Sequence, residues 1–263
     1  MPTTTRDGVV LRYETAGEGP PVVFVGDAGL GVWTWGWQTN ALAGPYTTVT
    51  VDCRGGAHSD APPGPYTVGD LVADLRAVVR DAALGGRPHL VGLGLGGAVA
   101  LAYARAHPVG SLCLLGTPPD AGATDRGAYE RALADPADEA ALADSLAHLL
   151  SADFRERHPD VCDAVVEWRA ADDARRAGRA AQLAALADVD ATGWLHEVTA
   201  PALVCHGGAD ALVPPPAGER LADALPRGEH RRFPGAGHLV GVERSRPVND
   251  ALEGFLGDDG RGR

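Results

Sequence analysis

The sequence predicts an α/β fold in which a mostly parallel central sheet carries helices on both faces. Short, almost wholly apolar runs such as Pro21–Val25 suit strands that are covered on both sides. Between such runs lie segments with apolar residues at helical spacing, as in Thr67–Leu84. Strands and helices that alternate in this way are typical of parallel sheets joined by right-handed crossovers.

The individual elements follow from the same patterns. Strands are predicted over residues 9–13, 21–25, 46–51, 89–91, 111–115, 201–205 and 229–233, and helices over 67–84, 98–106 and 248–256. Residues 120–194 are alanine-rich and helical in pattern, with no strand signal. We therefore expect a helical cap at 120–194, inserted after the strand at 111–115, and a core formed by 1–119 and 195–263.

Composition restricts the class of protein. The chain of 263 residues is 45% apolar and 22% charged, which is typical of a globular domain. A formal net charge of −12 makes nucleic acid and anionic membranes poor partners. The N-terminal residues lack the apolar segment of a signal peptide, and no window suits a membrane span, so a cytoplasmic location is expected. The four cysteines show no metal-binding spacing, and neither a metal nor a cofactor is expected.

A glycine-rich turn carries the strongest functional signal. Gly92-Leu93-Gly94-Leu95-Gly96 follows a strand and opens a helix, which is the context of the G-x-S-x-G turn that presents a nucleophilic serine. Gly94 stands at the serine position; glycine adopts a positive φ freely but has no atom that can attack a carbonyl. With Gly97 the stretch also fits the dinucleotide pattern G-x-G-x-x-G, but that pattern belongs on the first strand-to-helix turn of its domain.

Over almost its whole length the chain resembles the α/β-hydrolase superfamily. The matching segments are 52–60 after the fourth family strand and 114–118 at the end of the sixth, after which the cap is inserted. Two more are 206–214, the loop that places the acid, and 233–238, the loop that places the histidine. The resemblance implies that Asp210 and His238 are the acid and base of a triad whose first position is residue 94. In this family Asp120 is an alternative position for the acid. The resemblance also implies that Ala28 and Leu95 bind the substrate oxygen.

The loop after the third family strand departs from the pattern. Family members usually have His-Gly there, whereas this chain reads Gly26-Asp27-Ala28-Gly29. An ionised Asp27 beside a developing oxyanion would repel it, by an energy on the order of several kcal/mol in a dry pocket. Three possibilities remain open: Asp27 points away, it is protonated, or the reaction develops no negative charge at this position.

Tryptophans cluster directly after this loop. We expect Trp33 and Trp35 to line a substrate cavity under the cap, where their flat apolar surfaces would suit an aromatic molecule, and Trp37 to pack in the core.

The leading functional hypothesis is a cofactor-independent enzyme in which His238, oriented by Asp210, removes a proton from a small apolar or aromatic substrate. Elimination, cyclisation, isomerisation and rearrangement all fit, with Asp27 as a second acid or base, and a natural-product pathway is one setting. The alternatives are hydrolysis by water that His238 activates, a non-catalytic small-molecule-binding protein, and a serine hydrolase that carries an engineered Ser-to-Gly change at position 94.

Overall fold

The fold is described by a computed structural model that covers residues 1–259. Its strands are β1 (Thr3–Arg6), β2 (Val9–Ala16), β3 (Pro21–Val25), β4 (Thr47–Val51), β5 (His89–Leu93), β6 (Leu112–Leu115), β7 (Ala202–Gly207) and β8 (Gly228–Phe233). They form one sheet in the order β1-β2-β4-β3-β5-β6-β7-β8. Strand β2 pairs antiparallel with β1 and β4, and the pairs from β4 onward to β8 are parallel. The predicted mostly parallel sheet is therefore confirmed.

The central strands are covered on both faces. Every residue of β3, β5, β6 and β7 is buried, although successive side chains of a strand point to opposite sides of the sheet. The covering helices include α1 (Gly36–Leu42), α2 (Val68–Asp81), α3 (Leu95–Ala106), α9 (Pro216–Ala224), α10 (Val240–Glu243) and α11 (Ser245–Asp259). Helix α2 packs against α3, and α1 packs against α11. This arrangement follows from the continuous apolar runs in the sequence.

The two strands at the sheet edges differ in how well the sequence predicted them, because β8 was predicted at 229–233 and β1 was not predicted. Strand β1 is a polar Thr-Thr-Thr-Arg segment that the apolar pattern did not indicate. Strand β8 is exposed over most of its length, and only Phe233 is buried. An edge strand contacts few apolar neighbours, so backbone pairing rather than side-chain burial determines its position.

Helices α4 (Arg126–Ala132), α5 (Glu139–Leu149), α6 (Ala152–Arg157), α7 (Pro159–Asp172) and α8 (Arg176–Ala187) lie between β6 and β7. They occupy the segment predicted as a cap, and we keep that name for them. The segment contacts the loop after β3: the N–H of Gly29 donates to Gln182 at 2.6 Å, and the N–H of Gly31 donates to Asp173 at 3.0 Å. The cap is thus fixed to the loop that carries Asp27.

Within residues 1–259, none of the helices has both the length and the apolar character that a membrane crossing requires.

Candidate active site

The turn between β5 and α3 places Gly94 at the first position of the site. Its backbone has φ 52° and ψ −116°, a conformation that glycine adopts without the strain a Cβ would add. The neighbouring glycines are required by close packing. A Cβ at Gly96 would lie 2.1 Å from the carbonyl oxygen of Val25, and one at Gly92 would lie 2.5 Å from the carbonyl oxygen of Gly96. The turn therefore holds β3, β5 and α3 close together.

Asp27 occupies the space beside Gly94. A Cβ built on Gly94 would lie between 2.1 and 2.5 Å from the Cγ and both carboxylate oxygens of Asp27. The Asp27 side chain is 1% exposed. Of the possibilities left open by the sequence, the one in which Asp27 points away from the site is wrong, because the carboxylate fills the position that a side chain at residue 94 would take.

The Asp27 carboxylate has a hydrogen-bond partner on each oxygen. Its Oδ1 accepts the backbone N–H groups of Ala28 and Leu95, each at 2.7 Å. Its Oδ2 lies 3.0 Å from Nε2 of His238. Ala28 and Leu95 are the residues whose amides were expected to bind a substrate oxygen. In this structure those amides bind a side chain of the protein instead.

His238 lies between two carboxylates. Its Nδ1 is 2.8 Å from Oδ2 of Asp210, and its ring is fully buried. The other oxygen of Asp210 accepts the N–H groups of Leu212 and Val213 at 2.9 and 3.0 Å, which fixes the acid in place. The alternative acid, Asp120, forms a β-bridge with Asp190. Asp27, His238 and Asp210 together are called the acid–base cluster below.

The two carboxylates determine the charge of the ring. Burial by itself would lower the pKa of His238, but Asp210 and Asp27 outweigh it and raise that pKa to about 10. Burial would likewise raise the pKa of Asp210, yet His238 and His206 hold it below its ordinary value. Because an acceptor faces each ring nitrogen, the charged imidazolium with both N–H groups satisfies both contacts. His238 therefore already carries its proton at neutral pH.

Tyr129, on α4 of the cap, completes the surroundings of the ring. Its own ring meets His238 edge to face, with centroids 5.9 Å apart and planes at 72°. The hydroxyl group is buried and forms no hydrogen bond of normal geometry to a described residue. Burial and the nearby charges of Asp27 and Asp210 raise the pKa of Tyr129 well above 10.0. Sequence reasoning missed this residue, because Tyr129 belongs to no recognisable motif and the prediction of a helical cap at 120–194 gave no reason to single it out.

Cavities are small at the cluster and larger outside it. A cavity of about 10 Å³ lies beside Asp27, with Cys53 and Gln182 among its walls. A cleft of about 760 Å³ lies between α4 and α8, and Tyr129 forms part of its lining. Tyr129 thus contacts the acid–base cluster through its ring and also borders the cleft.

The tryptophans are distributed differently from the expectation. Trp35 packs in the core against Phe24, with ring centroids 5.2 Å apart. Trp33 and Trp37 instead line an outer cleft of about 350 Å³ together with Trp168 of the cap. The reason is local: residues 32–35 form a 3₁₀ turn that leads into α1, so alternate residues do not share one face as they would in a strand.

Other reactive residue types have structural positions. His206 donates from Nε2 to the carbonyl oxygen of Val213 at 2.8 Å. Burial raises the pKa of the Cys53 thiol to about 12, so a thiolate is disfavoured there. In the part of the chain that the structure describes, no group of three or more His, Cys, Asp or Glu side chains is arranged to hold a metal ion.

The fold and this arrangement of residues define the class of protein. Residues 20–245 match the family model described as the alpha/beta hydrolase fold. The chain therefore belongs to the α/β-hydrolase fold family.

Named relatives cover the chain almost from end to end. A Mycobacterium tuberculosis protein that carries the provisional name non-heme bromoperoxidase BpoC is 30% identical, over 94% of this chain and 97% of its own. The pimeloyl-[acyl-carrier protein] methyl ester esterase of Chromobacterium violaceum is 30% identical, over 94% of this chain and 98% of its own. The crystal structure of the enol-lactonase from Burkholderia xenovorans is similar with a TM-score of 0.86 and 26% identity, over 97% of this chain and 99% of that one.

Proposed function

We propose that this protein is a cofactor-independent enzyme that lacks a nucleophilic serine and catalyses proton transfer with Asp27, His238 and Asp210. The substrate is a small, largely apolar molecule, and the reaction is an elimination, isomerisation, cyclisation or rearrangement. The observation that carries this proposal is the position of Asp27: its carboxylate fills the space beside Gly94 and bonds both to His238 and to the amides of Ala28 and Leu95.

The cluster assigns new roles to two of the residues predicted from sequence. His238 holds a proton in the resting site, so it acts as the acid, and Asp27 supplies the base. The reacting atoms, Oδ2 of Asp27 and Nε2 of His238, are 3.0 Å apart. A substrate that separates them meets a carboxylate on one side and an N–H donor on the other. Asp27 then removes a proton from carbon while His238 donates one to oxygen, and Asp210 stabilises the ring throughout.

Acyl transfer through an oxyanion is disfavoured by the same arrangement. The amides that would stabilise a developing oxyanion already bind Oδ1 of Asp27. A negative substrate oxygen beside that carboxylate would be repelled, by an energy on the order of several kcal/mol in a water-excluded site. Gly94 adds no nucleophile. The proton-transfer reaction places no negative charge at these amides, which is why it fits the site better.

The fit between Gly94 and Asp27 also bears on whether the glycine is an engineered replacement. A serine at 94 would have its Cβ within 2.1 to 2.5 Å of the Asp27 carboxylate group. Asp27 in its observed position requires a residue without a side chain at 94. The two residues therefore fit as a pair, and this supports a natural glycine.

A second candidate function is hydrolysis, which the names of the relatives favour. One relative is named an esterase and a similar structure is named an enol-lactonase. Here a water molecule would take the place between Asp27 and His238 and attack the substrate directly. Turnover in ¹⁸O-labelled water separates the two candidates: hydrolysis incorporates the label into the product, whereas proton transfer leaves the product unlabelled.

The experiment that tests the proposal measures general-base catalysis with a generic probe. The probe 5-nitrobenzisoxazole is a planar apolar molecule that ring-opens when a base removes one C–H proton. We expect the wild type to accelerate this ring opening and Asp27→Asn to reduce the rate by about 10²–10⁴-fold, the usual contribution of a general base. Asn has the same shape as Asp but cannot accept the proton.

The matched control is Asp120→Asn, which removes the alternative acid and should keep the wild-type rate. A wild type no faster than buffer, or an Asp27→Asn variant as fast as the wild type while still folded by circular dichroism, would contradict the proposal. Either outcome would leave hydrolysis or a non-catalytic binding role as the better description.

A further inference from the structure

The hydroxyl group of Tyr129 is a buried donor that contacts Asp27 without normal hydrogen-bond geometry. Tyr129 is 1% exposed, and its hydroxyl forms no hydrogen bond of normal geometry within the described chain. A buried polar group in this state destabilises the fold. Such groups are rare in folded proteins, and each one needs an explanation such as a ligand that it binds.

The position of Tyr129 indicates where that ligand would come from. The residue separates the acid–base cluster, which its ring contacts through His238, from the cleft of about 760 Å³ between α4 and α8. Most of the lining of that cleft consists of small and apolar side chains, among them Ala121, Leu183, Ala184, Leu186 and Ala187. The cleft therefore suits the apolar body of a ligand.

The charges in the cleft indicate a neutral ligand. Two charged side chains contribute to the lining, Arg126 and Glu130, and they bind each other at 3.0 Å. Their charges offset one another, and both side chains are more than half exposed to solvent. Neither provides a buried charge that would select an ionic ligand, since an exposed pair of this kind contributes little to binding.

We propose that Tyr129 is a substrate-binding residue whose hydroxyl donates a hydrogen bond to the carbonyl oxygen of a neutral, apolar ketone or related carbonyl compound that enters through the α4–α8 cleft. This inference rests on the proposed proton-transfer function and specifies its substrate class. Since Asp27 occupies the amides that bind a carbonyl oxygen in the α/β-hydrolase pattern, the Tyr129 hydroxyl supplies a replacement donor beside the cluster. A carbonyl held there acidifies the adjacent C–H group, which is the proton that Asp27 is proposed to remove.

The Tyr129 hydroxyl stays protonated near neutral pH, as a hydrogen-bond donor must. Burial, followed by the charges of Asp27 and Asp210, raises the pKa of Tyr129 well above 10.0, so the hydroxyl keeps its proton and stays a donor.

The test uses prodan, a neutral naphthyl ketone whose fluorescence emission moves to longer wavelength when its carbonyl accepts a hydrogen bond. We expect saturable binding of prodan to the wild type. Tyr129→Phe should weaken binding by about 5–10-fold, the usual effect of one hydrogen bond, and move the emission of the bound probe to shorter wavelength. The matched control Tyr103→Phe removes the hydroxyl of another buried tyrosine, on α3, and should change neither quantity.

A second pair of variants tests the route. Ala184→Trp places an indole in the cleft and should weaken prodan binding at least 10-fold, whereas Ala177→Trp, at an exposed position near the start of the same helix and outside the lining of the cleft, should not. Absence of saturable binding to the wild type, or equal binding and emission for Tyr129→Phe and the wild type, would overturn the inference.

One further measurement excludes a merely structural role for Tyr129. Removing a buried hydroxyl that lacks normal hydrogen-bond geometry should leave the thermal unfolding midpoint of Tyr129→Phe equal to or above that of the wild type, even as prodan binding weakens. A lowered midpoint would mean that the hydroxyl has a structural partner, and would also overturn the inference. Failure of the proposed function is distinguishable, because Asp27→Asn should lose base catalysis while it still binds prodan.

Discussion

The protein contains two buried ionic groups, one in the cap and one at the acid–base cluster. They are buried to a similar extent but differ in whether the cation can lose its proton. In the cap, Arg169 and Asp173 form a pair at 2.7 Å, with side chains 0% and 3% exposed. The remaining Arg169 donors have acceptors as well, since Nη1 bonds Ser145 at 2.6 Å and Nη2 bonds the carbonyl oxygen of Ala132 at 2.9 Å. A guanidinium keeps its protons at any accessible pH. The cap pair is therefore a fixed structural contact.

The acid–base cluster differs because its cation is the ring of His238, whose pKa is raised to about 10 and which can therefore lose its proton. Nε2 of His238 lies 3.0 Å from Oδ2 of Asp27, and these are the two atoms of the proposed proton transfer. Both clusters are isolated from solvent, so burial alone does not distinguish a catalytic group from a structural one. A buried group suited to acid–base chemistry differs from a buried structural pair in that its proton can move to another group.

The pH dependence of stability should separate the two clusters most strongly. The pKa of His238 rises from 6.5 to about 10 in the folded protein, so its contribution is fully present below about pH 6.5 and is lost as the pH rises through about 10. We expect the free energy of unfolding to fall over this interval, by at most about 1.4 kcal/mol per pH unit, the value for one proton.

Urea unfolding from pH 6 to pH 10 measures this slope. The slope should flatten in His238→Gln and persist in Asp173→Asn, which alters the pair that does not titrate. Identical slopes in the wild type and His238→Gln would show that the ring is not held as the imidazolium.

Breaking the cap pair should cause the next largest effect. Arg169→Met keeps most of the side-chain volume but leaves Asp173 buried without its cation, which costs about 3–5 kcal/mol of unfolding free energy. The exposed Arg126→Met is the control and should change stability by no more than ~0.5 kcal/mol. If urea unfolding gave similar values for both variants, the Arg169–Asp173 pair would not be the fixed contact described above.

A serine introduced at position 94 tests whether the position of the Asp27 carboxylate depends on the glycine. Gly94→Ser places a Cβ against the Asp27 carboxylate, and we expect a loss of about 1–3 kcal/mol, as for other overpacked sites. The double variant Gly94→Ser, Asp27→Gly removes the collision and frees the two amides. It should recover most of the lost stability and gain hydrolysis of p-nitrophenyl acetate, which neither the wild type nor Gly94→Ser should show above background.

The control for the serine is Gly254→Ser on α11, where the added Cβ meets nothing within 4 Å. If Gly94→Ser alone were as stable as the wild type and hydrolysed the ester, Asp27 would not hold the position described here.

Features that depend on neighbouring residues in the chain were predictable from the sequence, whereas contacts between distant residues were not. The central strands and the turn at Gly94 were predictable, because apolar runs and the glycine pattern record burial and close packing directly. The direction of Asp27 was not, because it depends on empty space at Gly94, which is distant along the chain. Tyr129 gave no signal, since nothing in its own helix indicates that a histidine from another loop lies against its ring.

The smallest predicted effect concerns the contact that joins the cap to the Asp27 loop. Gln182 accepts the N–H of Gly29 at 2.6 Å and donates to the carbonyl oxygen of Arg54 at 2.8 Å. Gln182→Ala should cost about 1 kcal/mol of unfolding free energy, the net value of a hydrogen bond, and should speed hydrogen exchange at the Gly29 amide. Gln38→Ala, which removes another buried amide, should cost a similar amount but leave exchange at Gly29 unchanged. If both variants speed that exchange equally, the loop responds to global stability, and Gln182 does not specifically hold the loop that carries Asp27.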